Sequence, residues 1–270
     1  MNAVQFGPLV LGIDRFAGLA AIAAFLLLAW IAACLRPQVA ARLRAWSGPV
    51  LVVGLIAARL GHVLGNWAGF AADPLRMFAV WQGGFSAQAG LVAALAFTAF
   101  AAGRGRGFAG PAFGAMALSL VLWQGILAVA GPVVPLQALA GRLETLDGAG
   151  FDLAEHRGRP MVLNLWATWC APCRREMPML AEVAASTDGI TFAFANQREP
   201  ASRVALYLAT EGITLPNVIF DTDGVLARHY SSIGLPATLF LGADGKLAAL
   251  HIGETSRERV MAEIARLLAQ

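Results

Sequence analysis

The chain has 270 residues, of which 58% are hydrophobic and 14% charged, and its formal net charge is +3. Soluble domains carry about 25% charged residues, so an ordinary soluble protein is excluded over the whole length. The small net charge and the scattered arginines exclude nucleic acid as the expected partner. The cysteines are Cys34, Cys170 and Cys173, too few for a disulfide framework, and the close pair predicts either redox chemistry or half of a metal site.

The apolar excess is concentrated before residue 140, where four hydrophobic segments are predicted to span a membrane. The predicted spans are residues 16–35, 49–67, 85–102 and 109–130. A signal peptide is the alternative for the first segment, but Met1 to Gly12 carries no basic residue and further apolar segments follow. We therefore predict a polytopic membrane domain over residues 1–135 and a linker over 136–149.

The arginines between the spans predict the orientation of the membrane domain. The first and third connections are strongly basic, with Arg36, Arg42 and Arg44 in one and Arg104 and Arg106 in the other. The second connection has Arg76 alone as its basic residue. Because basic loops stay in the cytoplasm, both chain ends are expected to face outward. The expected location is the bacterial inner membrane, with several spans and a periplasmic C-terminal domain.

From residue 150 the pattern changes to short apolar strands that alternate with amphipathic helices. Strands are predicted at 151–153, 161–167, 190–195, 217–220, 237–241 and 246–252, and helices at 171–185, 201–211, 225–230 and 256–268. Ala243-Asp244-Gly245 predicts a hairpin between the last two strands. This order predicts an α/β domain with a mixed sheet over residues 150–270.

A Cys170-Ala171-Pro172-Cys173 sequence lies between a predicted buried strand and the helix that follows it. At a helix N-terminus the free N–H groups favour a thiolate, so Cys170 is predicted to attack disulfides and Cys173 to resolve the mixed disulfide. A zinc site is the alternative. It needs two more ligands, usually in a second close pair, and the four histidines are isolated in the sequence. We expect no metal and no cofactor.

Two further residues are candidates for the same site. Pro236 precedes an apolar strand, where it is either a turn device or a cis proline that packs beside the dithiol with Leu235 at the docking surface. Glu176 follows Cys173 by three residues and is either a solvated side chain or a carboxylate that handles the proton of Cys173. Asn164, in the central strand, is neutral, which favours Glu176 for this role.

Residues 150–270 resemble the TlpA/ResA-like branch of the thioredoxin superfamily. The matching segments are FDL (151–153), VLNLWATWCAPCRREMP (162–178), GLPATLFLGADGK (234–246) and HIGE (251–254). The resemblance implies a thioredoxin fold with a central insertion around residues 191–222. It further implies Cys170, Cys173, Glu176 and cis-Pro236 as site residues; Trp169, Ala171, Pro172 and Leu235 are the expected docking residues.

The first hundred residues resemble part of a prolipoprotein diacylglyceryl transferase. The matching segments are GPLVLGIDRFAGL (7–19), ARLGHVLGNW (58–67) and WQGGFSAQAGL (81–91). Gln88 stands where that family has a histidine and Ala17 where it has a tyrosine, and the later arginine-bearing glycine motif has no counterpart in ALSLVLWQGILAVAG. Arg59, His62 and Asn66 are polar residues within a predicted span and are either structural or functional.

We predict a membrane-anchored periplasmic thiol-disulfide oxidoreductase that reduces protein disulfides through Cys170 and Cys173. Cys34 is too distant to relay electrons, so a separate membrane donor of the DsbD/CcdA type is expected. The alternatives are an oxidase recharged by a quinone-linked oxidant, a lipoprotein-biogenesis protein with an accessory redox domain, and a non-enzymatic anchor. The expected partners are protein or peptide thiols and disulfides and the lipid bilayer, not nucleic acid.

Overall fold

The structure of the chain is a computed structural model. It describes residues 3–6, 9–71, 74–80, 83–103, 107–130 and 136–269. The chain divides into two compact units, Ile13–Gly131 and a second unit of Met1–Gly12 with Pro132–Gln270. Sequence predictions that rest on Trp81, Arg104 and Arg106 lie outside the described residues.

Within the described residues, the helical unit contains four apolar helices and one short helix. They are α1 (Ile13–Leu35), α2 (Ala40–Gly65), α3 (Trp67–Ala71), α4 (Ala87–Ala102) and α5 (Ala109–Ala130). Three segments, Ile13–Leu35, Pro37–Gly65 and Ala109–Val129, are long and apolar enough to cross a membrane, whereas Ala87–Ala102 is a shorter apolar helix. The four apolar helices overlap the four predicted spans.

The second span begins earlier than predicted. Pro37–Val39 forms a 3-10 turn and α2 starts at Ala40, so Arg42 and Arg44 lie in a helix rather than in a loop. The Arg42 guanidinium donates to the carbonyl of Ala101, which explains how a basic residue is accommodated in the first turns of an apolar helix. Pro49 lies inside α2, an arrangement that helices in membranes tolerate.

Two kinds of contact pack the helical unit. Aromatic rings form its centre, where Trp46 meets Phe25 and Phe108 edge to face with ring centroids 5.4 and 5.5 Å apart. Glycines allow α2 and α4 to approach closely, since a Cβ on Gly61 would lie 2.4 Å from the Cβ of Ala89. Small residues at helix contacts are the usual means of packing apolar helices in a membrane.

The second unit is built on a seven-stranded mixed sheet in the order β4-β3-β7-β6-β5-β8-β9. The strands are β3 (Arg142–Thr145), β4 (Phe151–Asp152), β5 (Met161–Trp166), β6 (Thr191–Gln197), β7 (Val218–Asp221), β8 (Ala237–Leu241) and β9 (Leu247–Ile252). β5 pairs in parallel with β6, and β6 with β7, whereas the other pairings are antiparallel. A separate hairpin joins β1 (Ala3–Phe6) and β2 (Leu9–Gly12).

Helices cover both faces of the sheet, and this explains why every residue of β5 is buried. The helices are α6 (Ala171–Ser186), α7 (Ala201–Glu211), α8 (Val225–His229) and α9 (Arg257–Leu268). Val162 and Trp166 of β5 share one core with residues of α6, α7 and α9. Leu163 and Leu165 point to the other face and share a core with α8.

Residues 136–149, predicted as a linker, contain sheet structure instead. β3 pairs with β4 and β7, and the Ala138 N–H donates to the Gly245 carbonyl at 2.7 Å. The four residues of β3, Arg-Leu-Glu-Thr, include one apolar side chain, Leu143. The sequence therefore lacks the apolar run that predicted the other strands.

Candidate active site

The junction of β5 and α6 places the two cysteines at the end of the central strand. Cys170 is the N-cap of α6, and its Sγ accepts the Cys173 N–H at 3.3 Å. The two sulfurs form a disulfide. Cys170 is 5% exposed and Cys173 is fully buried, so Cys170 is the sulfur that a partner can reach. The N-terminus of α6 favours negative charge on it after reduction.

The residues around Cys170 present an exposed surface. Trp169 is 67% exposed, Ala171 is also exposed, and Pro172 and Leu235 are half-buried. Pro172 lies in the first turn of α6, where a missing N–H costs no helical hydrogen bond. An exposed tryptophan beside a reactive sulfur offers apolar area to a partner at low entropic cost.

Pro236 lies at the start of β8, which runs beside β5. The Leu235–Pro236 peptide bond is cis. Ala237 pairs with Leu165 in the β5–β8 ladder, which places Pro236 next to the end of β5 and therefore near the dithiol. The Pro236 carbonyl accepts the Gly253 N–H at 2.8 Å.

Glu176 is buried behind Cys173 rather than solvated, with 2% of its surface exposed. Its Oε1 accepts from Asn164 Nδ2 at 3.0 Å and its Oε2 from the Thr255 N–H at 2.9 Å. Asn164 also donates to Thr238 Oγ1 at 3.1 Å. The carboxyl group is thus tied to β5, to β8 through Asn164, and to the segment after β9.

Burial raises the pKa of Glu176 to about 8, although the hydrogen bonds from Thr255 and Asn164 favour the charged form. A carboxyl group with such a pKa holds a proton at neutral pH and can release it. Glu176 lies one helical turn after Cys173. The arrangement therefore places a carboxyl group that holds a proton at neutral pH one helical turn from the buried Cys173.

The two arginines after Cys173 are held in ion pairs on different sides of the helix. Arg174 Nη2 lies 2.8 Å from Glu211 Oε1, and both side chains are substantially exposed. Arg175 Nη2 lies 2.5 Å from Oε2 of Glu254, whose side chain is 5% exposed. The exposed pair contributes little to stability, whereas the half-buried one is screened less by solvent.

Glu199 is a buried acid beside the dithiol turn that the sequence analysis missed. It is 3% exposed, and its carboxylate accepts the Thr168 N–H at 2.7 Å, the Thr168 hydroxyl at 2.5 Å and Asn196 Nδ2 at 2.9 Å. Thr168 is two residues before Cys170, so these bonds fix the turn that carries the reactive sulfur. One signal was available: residues after β6 reach the same sheet edge as those after the parallel strand β5.

No group of three His, Cys, Asp or Glu side chains with metal-binding geometry occurs in the described ranges. The disulfide occupies both sulfurs that a zinc ion would need.

In the helical unit, Arg59 organises the connection between α3 and α4. Its guanidinium donates to the carbonyls of Arg76, Met77, Gly83 and Gly84 at 2.7 to 2.9 Å. Four backbone acceptors give it a structural role in this connection.

His62 and Asn66, the other polar residues of the second span, contact each other. Asn66 Nδ2 donates to the His62 carbonyl at 2.9 Å and lies 3.4 Å from its Nδ1.

A cavity of about 510 Å³ lies among α1, α2, α4 and α5 of the helical unit. Its lining is mainly apolar, and Gln88, Ser119 and Gln124 are its polar members. Gln88 is the residue that stands in place of a histidine in the resemblance described above. The cavity therefore presents an amide, not a titratable imidazole, at this position.

A disulfide-bonded cysteine pair at a strand-to-helix junction, with a cis proline just before the adjacent strand, defines the class of protein as a thiol-disulfide oxidoreductase of thioredoxin-like fold. Residues 132–268 match the Redoxin family, and residues 4–144 match the family described as Prolipoprotein diacylglyceryl transferase. The chain thus belongs to the Redoxin family in its C-terminal half and to the Prolipoprotein diacylglyceryl transferase family in its N-terminal half.

Individual relatives match the Redoxin half. Soluble secreted antigen MPT53 of Mycobacterium tuberculosis is 33% identical over 131 residues, which cover 48% of this chain and 75% of that protein. Thiol-disulfide oxidoreductase ResA of Geobacillus thermodenitrificans is 33% identical over 120 residues, 44% of this chain and 68% of that protein. The crystal structure of a secreted Mycobacterium tuberculosis disulfide oxidoreductase homologous to E. coli DsbE is 29% identical, with a TM-score of 0.43, over 47% of this chain and 96% of that one.

Proposed function

We propose that this protein is a membrane-anchored reductase of protein disulfides that faces the periplasm. The observation that carries the proposal is the position of Cys170 at the N-cap of α6, with Cys173 buried behind it. This arrangement separates an attacking sulfur from a resolving one, as disulfide exchange requires.

The reaction proceeds in two exchanges. The Cys170 thiolate attacks one sulfur of a substrate disulfide, forms a mixed disulfide and releases the other substrate sulfur as a thiolate. The Cys173 thiolate then attacks Cys170, forms the Cys170–Cys173 disulfide and releases the second substrate thiolate. Two electrons pass to the substrate, and the protein is left oxidised.

Glu176 handles the proton of the resolving thiol in this scheme. Cys173 must lose a proton before it attacks, and Glu176 is the carboxyl group one turn further along the helix. Because its pKa is about 8, close to that of a thiol, the ionised fraction of Glu176, about a tenth at pH 7, can accept this proton, and the protonated carboxyl group can return it when the disulfide is reduced again.

The exposed surface around Cys170 is the proposed docking surface for substrates. Trp169 and Ala171 supply exposed contacts and Pro172 and Leu235 half-buried ones. We propose that the backbone of Leu235, just before cis-Pro236, pairs with an extended segment of the substrate. The surface suits protein or peptide chains rather than a small cofactor.

The helical unit is proposed to anchor the redox domain as a multi-pass inner-membrane segment, with both chain ends in the periplasm. The arginines of the first and third connections and of the first turns of α2 support this orientation. Cys34, which is exposed on α1, is the remaining cysteine of the chain, so the helical unit lacks a dithiol that could relay electrons. We therefore propose that a separate membrane protein of the DsbD/CcdA type reduces the Cys170–Cys173 disulfide.

Substrate trapping with Cys173→Ser tests the proposal. Without the resolving sulfur, Cys170 should hold substrates as mixed disulfides that survive denaturing gels and disappear on reduction. Cys170→Ser is the matched control and should trap nothing. If Cys173→Ser forms no more mixed disulfides than Cys170→Ser, the proposed exchange does not occur.

A second candidate function is lipid transfer to lipoproteins. The match of residues 4–144 to the Prolipoprotein diacylglyceryl transferase family and the mainly apolar cavity favour it, whereas Gln88 in place of a histidine argues against it. In this case a Cys170→Ser/Cys173→Ser chain should restore lipoprotein modification to a deletion strain. Failure to restore it, while the redox phenotype depends on both cysteines, would leave disulfide reduction as the function.

A further inference from the structure

The Arg175–Glu254 ion pair joins two segments that both reach Glu176. Arg175 precedes Glu176 in α6, and its Nε and Nη2 donate to Glu254 Oε2 at 2.8 and 2.5 Å. Glu254 precedes Thr255, whose N–H donates to Glu176 Oε2 at 2.9 Å. Arg175 is thus the sequence neighbour of Glu176, and Glu254 is the sequence neighbour of Thr255, whose N–H group Glu176 accepts.

The two charges act on Glu176 in opposite directions. The Glu254 carboxylate raises the pKa of Glu176 because two neighbouring negative charges repel, and the Arg175 guanidinium lowers it. The side chain of Glu254 is 5% exposed, so solvent screens its charge only weakly. While the pair is intact, the two effects offset each other.

We propose that Arg175 and Glu254 are a positioning pair that sets the pH at which Glu176 exchanges its proton with Cys173. The inference rests on the function proposed above and adds two residues to the site that act through Glu176. Loss of either partner leaves the charge of the other uncompensated beside Glu176. The direction of the effect therefore depends on which partner is removed.

Two other titratable residues, His251 in β9 and Glu258 in α9, lie close to Glu254 in the sequence. The strands β5 and β8 present the uncharged side chains of Asn164 and Thr238. His251 Nε2 lies 3.2 Å from the Glu254 carbonyl, and Glu258 is buried in the first turn of α9. Both remain unchanged in the variants described below, so a difference between these variants reports on the ion pair.

The test measures how fast the reduced full chain, purified in detergent, reduces a disulfide-containing reporter peptide between pH 5 and pH 9. The change of rate with pH that is present in the wild type and absent in Glu176→Gln is assigned to Glu176. The midpoint of this change is the quantity that is compared between variants. Arg175→Gln should move this midpoint to higher pH and Glu254→Gln to lower pH, each by about one unit. The double variant should return close to the wild-type midpoint.

The neighbouring Arg174–Glu211 pair provides matched controls, since it lies on the same helix and its Arg174 Nη2 and Glu211 Oε1 are 2.8 Å apart. Arg174→Gln and Glu211→Gln should leave the midpoint unchanged. If Arg175→Gln and Glu254→Gln shift it in the same direction, the pair acts only as a mechanical clamp on the Thr255 N–H, and the proposal is wrong. Unchanged midpoints in both variants would also overturn it.

A failure of the proposed function would look different. A wild-type protein that does not reduce the peptide contradicts disulfide reduction, not the role of the ion pair. The ion pair is then tested by the pH dependence of Cys173 alkylation by iodoacetamide in a Cys170→Ser chain, where the same opposite shifts are expected. Equal profiles for the two variants in this assay would contradict the inference.

Discussion

Glu176 is a carboxyl group that the fold keeps protonated at neutral pH. Its pKa is 4.5 in an unfolded chain and about 8 in the folded one, so the folded state binds more protons between these values. The contribution of Glu176 to stability is therefore greatest at low pH and falls as pH rises toward 8. The slope is at most about 1.4 kcal/mol per pH unit.

Glu176→Gln should remove this dependence. We expect the melting temperature of the redox domain, relative to the wild type, to increase steadily from pH 5 to pH 8. The measurement is thermal melting of the full chain in detergent, followed by tryptophan fluorescence. Glu211→Gln changes a more exposed carboxylate, so its melting temperature should differ from that of the wild type by the same amount at every pH. A difference that is equally independent of pH for Glu176→Gln would contradict the raised pKa of Glu176.

Glu199 is the second buried acid of the site, and its contribution is predicted to be structural. Glu199→Gln replaces an acceptor-only carboxylate that holds both the N–H and the hydroxyl of Thr168. Hydrogen bonds to charged groups contribute about 1.5–3 kcal/mol each, so the domain should melt at a clearly lower temperature and reduce the reporter more slowly.

The control for Glu199→Gln is Glu182→Gln, which removes a carboxylate that is 69% exposed and paired with Arg257. An exposed pair contributes little, so this variant should melt within a few degrees of the wild type. Equal melting temperatures of Glu199→Gln and Glu182→Gln would show that the hydrogen bonds from Thr168 to Glu199 do not stabilise the turn before Cys170.

At the level of elements, the close approach of α2 and α4 depends on Gly61. A Cβ at this position would lie 2.4 Å from Ala89 Cβ, so Gly61→Ala should push the helices apart and lower the thermal stability of the helical unit. Gly48→Ala, in the same helix with nothing within 4 Å of the added Cβ, should be neutral or slightly stabilising. The temperature at which the full chain aggregates in detergent compares the two variants. Equal aggregation temperatures for Gly61→Ala and Gly48→Ala would contradict the close packing of α2 and α4 at Gly61.

Elements with a strong local pattern could be predicted from the sequence. β5 is apolar except for Asn164 and ends four residues before the N-cap cysteine, and β8 was predicted with its observed bounds. β3 was missed because its residues are mostly polar and its place in the sheet depends on pairing with β7, 73 or more residues away in sequence. The start of α2 was misplaced because its first turns carry arginines.

In the candidate site, too, residues with a local sequence signal could be predicted, whereas residues whose role depends on distant contacts could not. The dithiol, Pro236 and Glu176 have local signals, since each stands at a defined distance from a strand or helix end. Glu199 and Glu254 were missed because their roles depend on contacts with Thr168 and Arg175, 31 and 79 residues away. Apart from the position of Glu199 after a strand parallel to β5, the spacing of residues in one sequence does not indicate which of them form such pairs.

For the whole molecule, the proposed topology makes a direct prediction. An epitope tag after Gln270 should be accessible to antibody in cells with a permeable outer membrane and an intact inner one. A tag inserted in the 104–106 connection should become accessible only after the inner membrane is disrupted. Because basic connections remain in the cytoplasm, the reverse result would contradict the orientation.

The redox state of Cys170 and Cys173 in living cells tests the central claim most directly. Acid quenching followed by alkylation with a mass tag separates the dithiol from the disulfide in the full chain. A reductase should be mostly in the dithiol form, become oxidised when its membrane electron donor is removed, and have a potential near the reducing end of the range of about −120 to −270 mV. A pair that is mostly oxidised with its donor present, with a potential near −120 mV, would contradict the account.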